Sequence, residues 1–216
     1  MNTVSADKFD VPGDIGPLDS GTSVLLTGED TDALESVFAR VAAPADGERS
    51  VVIATDSRGR AVKRSLNGAK RGAGDRSAVL TAAGRSSGDD IETVDDLSDL
   101  TGMGMQFSAL AADSQQAAAG FRTGIFLCST IAGELDDTRS LYRFLNSTFL
   151  TEIRRSDGIG VCALDTSADI GSNMNSTVTG LKTSFKTHVD VESTGRTEAT
   201  LTISDDDGER TVDVSV

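Results

Sequence analysis

The sequence predicts an α/β protein with a mainly parallel sheet, helices on both of its faces and an antiparallel β-hairpin at the C-terminal end. Three observations carry this. Residues 22–28 (TSVLLTG), 50–55 (SVVIAT), 77–81 (SAVLT), 123–129 (TGIFLCS) and 158–164 (GIGVCAL) are short apolar runs without polar alternation, as expected of strands buried on both faces. Helix-patterned segments lie between them, so each strand is followed by a crossover to a parallel neighbour. The C-terminal segment alternates instead, residues 197–204 and 209–216 flanking an Asp205–Gly208 turn, which is the pattern of a hairpin.

The elements follow in order. Residues 1–20 are polar, hold Pro12 and Pro17, and read as a flexible lead-in; residues 21–216 read as one domain. After the first strand, Leu34, Val37, Phe38 and Val41 fall on one helical face. A short helix over 61–66 separates the second and third strands. Residues 102–119 predict a helix with Met105, Leu110 and several alanines on one side. Residues 138–155 carry the strongest stripe: Leu141, Phe144, Leu145, Phe149, Leu150 and Ile153. Met174, Val178, Leu181 and Phe185, spaced by four, three and four, predict a helix over 172–185. With aromatics at 4% and no Trp, the core rests on Val, Leu, Ile, Ala and a few Phe.

Charge narrows the setting. Asp and Glu number 34 against 20 Lys and Arg, a formal net charge of −14, and lysine is confined to Lys8, Lys63, Lys70, Lys182 and Lys186. Acidic, Lys-poor chains of this kind suit a cytoplasm at molar salt, where screening acts within about 3 Å and a hydrated acidic surface resists aggregation. No segment has the length and apolarity of a membrane span, and residues 1–10 have neither a basic region nor an apolar core of a signal peptide. The expected location is cytoplasmic. Cys128 and Cys162 each sit in an apolar run without metal-ligand spacing and read as buried thiols of a reducing compartment. His188, the single histidine, makes neither a metal site nor a triad alone.

Strand, glycine, short loop and helix over 22–43 is the layout of a phosphate loop. A working loop reads G-x-x-x-x-G-K-[ST]: glycines bring backbone N–H groups to the phosphates, Lys meets the β/γ oxygens and the hydroxyl holds Mg²⁺. From Gly28 this chain reads Gly28-Glu29-Asp30-Thr31-Asp32-Ala33-Leu34-Glu35. Ala33 replaces the second glycine, Leu34 the lysine and Glu35 the hydroxyl residue. Glu29, Asp30 and Asp32 put carboxylates where a polyanion would lie, with no lysine to offset them. Taken alone, the stretch is a strand–turn–helix with Asp30 or Thr31 as N-cap.

Residues 99–105 (DLTGMGM), 139–145 (RSLYRFL) and 154–165 (RRSDGIGVCALD) resemble the corresponding blocks of a haloarchaeal family related to the KaiC-type branch of the RecA superfamily. The likeness runs from about Gly21 to His188. It implies a RecA-like core with the phosphate loop after the first strand. It also implies a pair of glutamates after the second strand, where this chain offers only Asp56, and a metal-supporting aspartate ending the fourth, where it offers Cys128 or Ser129. Phosphoryl transfer is almost wholly positioning and charge neutralisation, so losing the lysine, hydroxyl, metal carboxylate and base together removes the mechanism. The expectation is a catalytically degenerate protein with no catalytic residues, metal or cofactor, acting as a regulatory or protein-interaction module. The alternatives are a divergent NTP-binding ATPase, which would need ATP and Mg²⁺, and a DNA-associated protein like recombinase paralogues.

One stretch departs from the acidic background: Arg58, Arg60, Lys63, Arg64, Lys70, Arg71, Arg76 and Arg85 face Asp75 alone. It is a candidate surface for a protein partner or self-association. Nucleic acid is not favoured, because phosphate binding falls with salt and no aromatics interleave for base stacking. The acidic run Asp89, Asp90, Glu92, Asp95, Asp96 and Asp99 reads as a solvated loop, with a cation site as the sharper alternative. Asp165 ends the fifth strand, where α/β sheets place ligands, or else caps a loop. The charge balance generates a test: melting temperature should fall as KCl drops from molar to about 0.1 M, because unscreened carboxylates repel one another. Unchanged melting across that range would refute the halophilic reading.

Overall fold

The computed structural model describes residues 8–13, 15–84, 88 and 90–216. Two short strands, β1 (Lys8–Phe9) and β2 (Leu18–Asp19), pair antiparallel ahead of the main sheet. There follow β3 (Ser23–Gly28), α1 (Thr31–Ala42), β4 (Glu48–Arg58), α2 (Gly59–Ala69), β5 (Ser77–Ala83), β6 (Ile91–Thr93) and α3 (Leu100–Gln116). The second half holds β7 (Gly120–Phe126), α4 (Cys128–Gly133), α5 (Thr138–Phe144), a π-helical turn over Leu145–Phe149, α6 (Leu150–Arg155), β8 (Ile159–Asp165), α7 (Met174–Lys182), β9 (Thr187–Ser193), β10 (Glu198–Asp205) and β11 (Gly208–Ser215).

Among the described residues one sheet runs in the order β11-β10-β9-β3-β8-β7-β4-β5-β6. The strands from β9 to β6 are all parallel, and β10 and β11 extend the β9 edge antiparallel. This is the α/β layout the apolar runs predict. Alternate residues along each strand divide into two cores. Val24, Leu26, Val161 and Ala163 pack under α1 and α2, while Leu25, Cys162 and Leu164 pack under α3, α5, α6 and α7. Gly124 on β7 is needed for close approach: a Cβ there would stand 2.5 Å from the Phe38 ring, which lies 5.2 Å from the Phe126 ring centroid.

Several elements differ from the sequence reading. Among the described residues of the lead-in, Phe9, Val11, Ile15 and Leu18 are buried in the core shared with α1; its polar composition hides these four apolar anchors. The fourth strand begins at Gly120 and ends at Phe126, so Cys128 and Ser129 belong to α4, not to the strand. The 138–155 helix is interrupted by the π turn. β6, three residues long, and β9, a short polar–apolar alternation (THVDVES), are absent from the sequence reading.

Starting β7 at Gly120 places Arg122 inside the sheet, with a side chain 0% exposed. Its Nε donates to Glu48 Oε2 at 2.6 Å and Nη2 to Oε1 at 3.3 Å. Nη1 donates to the Val41 carbonyl at 3.0 Å and Nη2 to the Asp10 carbonyl at 2.8 Å, while the guanidinium lies 5.4 Å from the Phe9 ring centroid. Glu48 Oε2 also accepts from the Ala45 amide at 2.7 Å. Removing one member of a buried pair strands the other charge and costs about 3–5 kcal/mol. Arg122→Met should therefore lose that much in chemical denaturation, and adding Glu48→Gln should recover part of it. A loss no greater than that of an exposed-site mutant would refute this role.

Candidate functional site

β3 ends at Gly28 and α1 starts at Thr31, so Glu29 and Asp30 alone make the turn. Asp30 is extended (φ −96°, ψ 107°) and caps the helix: its Oδ1 accepts from the Asp32 amide at 3.0 Å and the Ala33 amide at 3.1 Å. The Ala33 amide, and after it the Ser193 hydroxyl, hold the Asp30 carboxyl below the usual carboxylate range. The positive end of the α1 dipole favours the same ionised form. Gly28 packs directly on β9, since a Cβ there would stand 2.6 Å from the Val191 carbonyl oxygen.

The positions aligned with a phosphate loop are thus distributed. Ala33 and Leu34 are buried in the core under α1. Glu35, half-buried, faces a cleft of about 310 Å³ between α1 and α2 together with Arg40 and Ser65. A different cleft, of about 700 Å³, opens at the turn itself, where Glu29, Asp30, Asp190 and Glu192 line it with Thr166 and Ser193.

Beside this cleft lies a polar trio that the sequence pattern does not reveal. Thr27 and Asp190 are register partners on β3 and β9. The buried Thr27 hydroxyl donates to Asp190 Oδ1 at 2.6 Å and lies 2.8 Å from His188 Nε2. With its one proton committed to the carboxylate, the hydroxyl accepts from His188, which fixes the Nε2–H tautomer. Burial, and next the Lys182 charge, lower the His188 pKa, with Asp190 opposing them.

The other strand ends are closed by local contacts. Asp56 is exposed at the end of β4 and accepts from its neighbour Ser57 at 3.0 Å. The Thr55 hydroxyl lies 3.1 Å from the carbonyls of Phe126 and Leu127. Leu127 adopts the left-handed conformation (φ 62°, ψ 62°), which turns the chain from β7 straight into α4. Cys128 and Ser129 are buried in the first turn of α4. Ser129 Oγ accepts from the Asp165 amide at 3.2 Å, and Asp165 itself binds the amide and hydroxyl of Ser167. Burial, and then the adjoining Cys128 thiol, push the Cys162 thiol well above its ordinary value.

The basic stretch is only partly a surface. Arg58, Arg60, Arg64 and Arg71 are exposed and Lys63 is half-buried. Lys70 turns to Asp10 at 3.6 Å, and Arg76 to Asp46 at 3.2 Å and the Pro44 carbonyl at 2.9 Å. Arg85 and Asp89 lie outside the described residues. Among the described residues no cluster of His, Cys, Asp and Glu is placed to hold a metal ion, and no helix is long and apolar enough to cross a membrane.

This sheet order and the strand–turn–helix at its centre define a RecA-like fold of the KaiC type. A crystal structure of a KaiC-like protein from the hyperthermophilic archaeon Pyrococcus horikoshii OT3 matches with a TM-score of 0.58 and 15% identity, over 97% of this chain and 92% of that one. No curated protein matches the sequence. The chain belongs to the family of unknown function DUF7504, whose model matches residues 21–191.

The His188 environment generates a pH prediction. A lowered folded-state pKa means the unfolded chain binds the proton more readily. The contribution of neutral His188 is therefore complete above its ordinary value of 6.5 and is lost as pH falls below it. The stability difference between wild type and His188→Gln should shrink between about pH 7.5 and 5.5. A difference that stays constant across that range would exclude the effect.

Proposed function

We propose that this protein is a RecA/KaiC-like fold that works without nucleotide hydrolysis, as a regulatory or protein-interaction module. The observation that carries the reading is the Asp30 carboxylate, which occupies the Asp32 and Ala33 amides at the N-terminus of α1. In a phosphate loop such amides hold phosphate oxygens. Here a fixed anion holds them, and the two-residue turn leaves no loop to wrap a triphosphate.

Leu34 supports the same conclusion. It is 0% exposed, and burying a leucine of this kind stabilises by about 2 kcal/mol. A lysine at this position would have to leave the core to reach a ligand. Glu29, Asp190 and Glu192 add negative charge around the turn. These residues do not fit a Mg²⁺-triphosphate held in the phosphate-loop manner. The exposed arginines of α2 and its flanks, Arg58, Arg60, Arg64 and Arg71, are the proposed partner surface. Lys63 adjoins them. The guanidinium fork pairs bidentately with carboxylates, which favours an acidic protein over a phosphate backbone at high salt.

Calorimetric titration of the full chain with Mg-ATP in molar KCl should show no binding heat, and phosphate release should stay at the uncatalysed level. Binding in the micromolar range would overturn the reading in favour of a divergent NTP-binding protein.

A further inference from the structure

The main sheet ends on one side in β11, which pairs with β10 in an unbroken register from Glu198↔Ser215 to Asp205↔Gly208. Among the described residues no strand lies along its other edge. The opposite edge of the sheet, β6, is only three residues long. β11 runs for eight residues without a proline, a lysine or a bulge, the usual means of closing an edge.

The direction of its unpaired backbone groups follows from the ladder. The Val216 amide donates to the Thr197 carbonyl at 2.9 Å, so Val216 faces β10. Antiparallel pairs alternate, so Val214, Val212 and Arg210 face β10 as well, while Glu209, Thr211, Asp213 and Ser215 turn their amides and carbonyls outward. Of these outward groups only the Ser215 carbonyl has a partner among the described residues, Arg40 Nη2 on α1. The side chains of Glu209, Thr211 and Asp213 are exposed, whereas Val212 and Val214 point to the opposite face and pack on the core shared with α1.

We infer that β11 pairs antiparallel with β11 of a second copy, about a two-fold axis at Val212, joining two sheets into one. A two-fold axis perpendicular to a sheet sets one residue of each copy opposite itself, and charge selects which. Centred on Thr211, the pairing opposes Glu209 and Asp213. Centred on Asp213 it opposes two aspartates, and on Arg210 two arginines. Like charges directly opposite destabilise a sheet. Centred on Val212, none are directly opposed: Val212 meets Val212, Thr211 meets Asp213, Glu209 meets Ser215, and Arg210, already paired with Asp205 of its own chain, meets Val214. Each Thr211–Asp213 pair then exchanges both of its outward backbone hydrogen bonds. Asp213 Oδ1 accepts from Thr200 at 2.7 Å, which leaves Oδ2 for the Thr211 hydroxyl of the mate. Glu209 and Asp213 fall diagonally to Asp213 of the mate at about 7–8 Å, a distance that molar salt screens. The inference does not depend on how the β3–α1 turn treats nucleotides.

Sedimentation velocity on the full chain in molar KCl, at protein concentrations on the order of 100 μM, should show a dimer. Asp213→Pro removes an amide that bonds nothing within the chain, at an edge position where proline is tolerated. It should weaken the dimer about tenfold or more, because the axis doubles the loss, with an unchanged far-UV circular dichroism spectrum. Cysteine scanning reads the register independently. Opposed residues at Val212 place their Cα atoms about 4.5 Å apart, within disulfide reach, so diamide should cross-link the Val212→Cys variant. Thr211→Cys and Asp213→Cys should stay uncross-linked, since each residue lies diagonally to its copy at about 7–8 Å. The wild type, whose Cys128 and Cys162 are buried, is the blank. A wild-type chain that is monomeric at this concentration would overturn the proposal. So would a dimer indifferent to Asp213→Pro, or cross-linking through position 211 or 213 in place of 212.

Discussion

A fully buried guanidinium must have every donor met, because an isolated charge in the interior is far costlier than a paired one. Each of the three Arg122 nitrogens has a partner, and the partners come from three parts of the chain: Glu48 at the start of β4, the Val41 carbonyl in the last turn of α1, and the Asp10 carbonyl in the N-terminal segment. That single requirement fixes the C-terminal end of α1 against the sheet and ties down the segment before β2. A helix of 12 residues is a rod of about 18 Å. Anchoring its far end therefore also sets where its first turn meets β3. The geometry of the Gly28–Asp30 turn depends in this way on a contact at the other end of the strands, between β7 and β4.

At that turn the fold presents what such sheets usually present to ligands, the C-terminal ends of parallel strands and the N-terminus of a helix. The side chains placed there are acidic or already engaged. Asp30 takes the helix amides, Thr27 is shared between His188 and Asp190, and Asp165 is engaged with Ser167. Thr55 and the left-handed Leu127 close the neighbouring strand ends. The KaiC-like neighbour shares the fold at 15% identity, and fold alone does not carry chemistry with it. On the proposed reading these contacts close the strand ends instead of holding a ligand.

Features written into contiguous residues were legible in the sequence. Unbroken apolar runs gave β3, β4, β5 and β8 because both faces of those strands are buried, so no polar alternation interrupts them. The cap was legible to within two neighbours, Asp30 or Thr31, because N-capping is a local bond to amides two and three residues onward, and Asp30 makes it. Contacts made across the chain were not. Arg122 reads as a boundary residue until Glu48, 74 positions away, is placed beside it. Thr27 and His188 are 161 positions apart, and only the parallel pairing of β3 with β9 makes them neighbours. The anchoring of Phe9 and Leu18 was hidden for a similar reason: isolated apolar residues in a polar segment acquire meaning only from the core they reach.

The distribution of charge follows the same separation between local and tertiary causes. In a chain of net charge −14, eight basic residues gather between Arg58 and Arg85, yet the structure uses them unequally. Lys70 and Arg76, themselves largely covered, pair with the exposed carboxylates of Asp10 and Asp46. Arg58, Arg64 and Arg71 point to solvent and make no ion pair among the described residues. Arg58 precedes the first turn of α2, where cations oppose the helix dipole and no side chain caps the amides. That placement costs α2 stability on its own account. Folding therefore does not explain why the charge is there, whereas an acidic surface docking against α2 would offset the repulsion and supply the missing counter-charge.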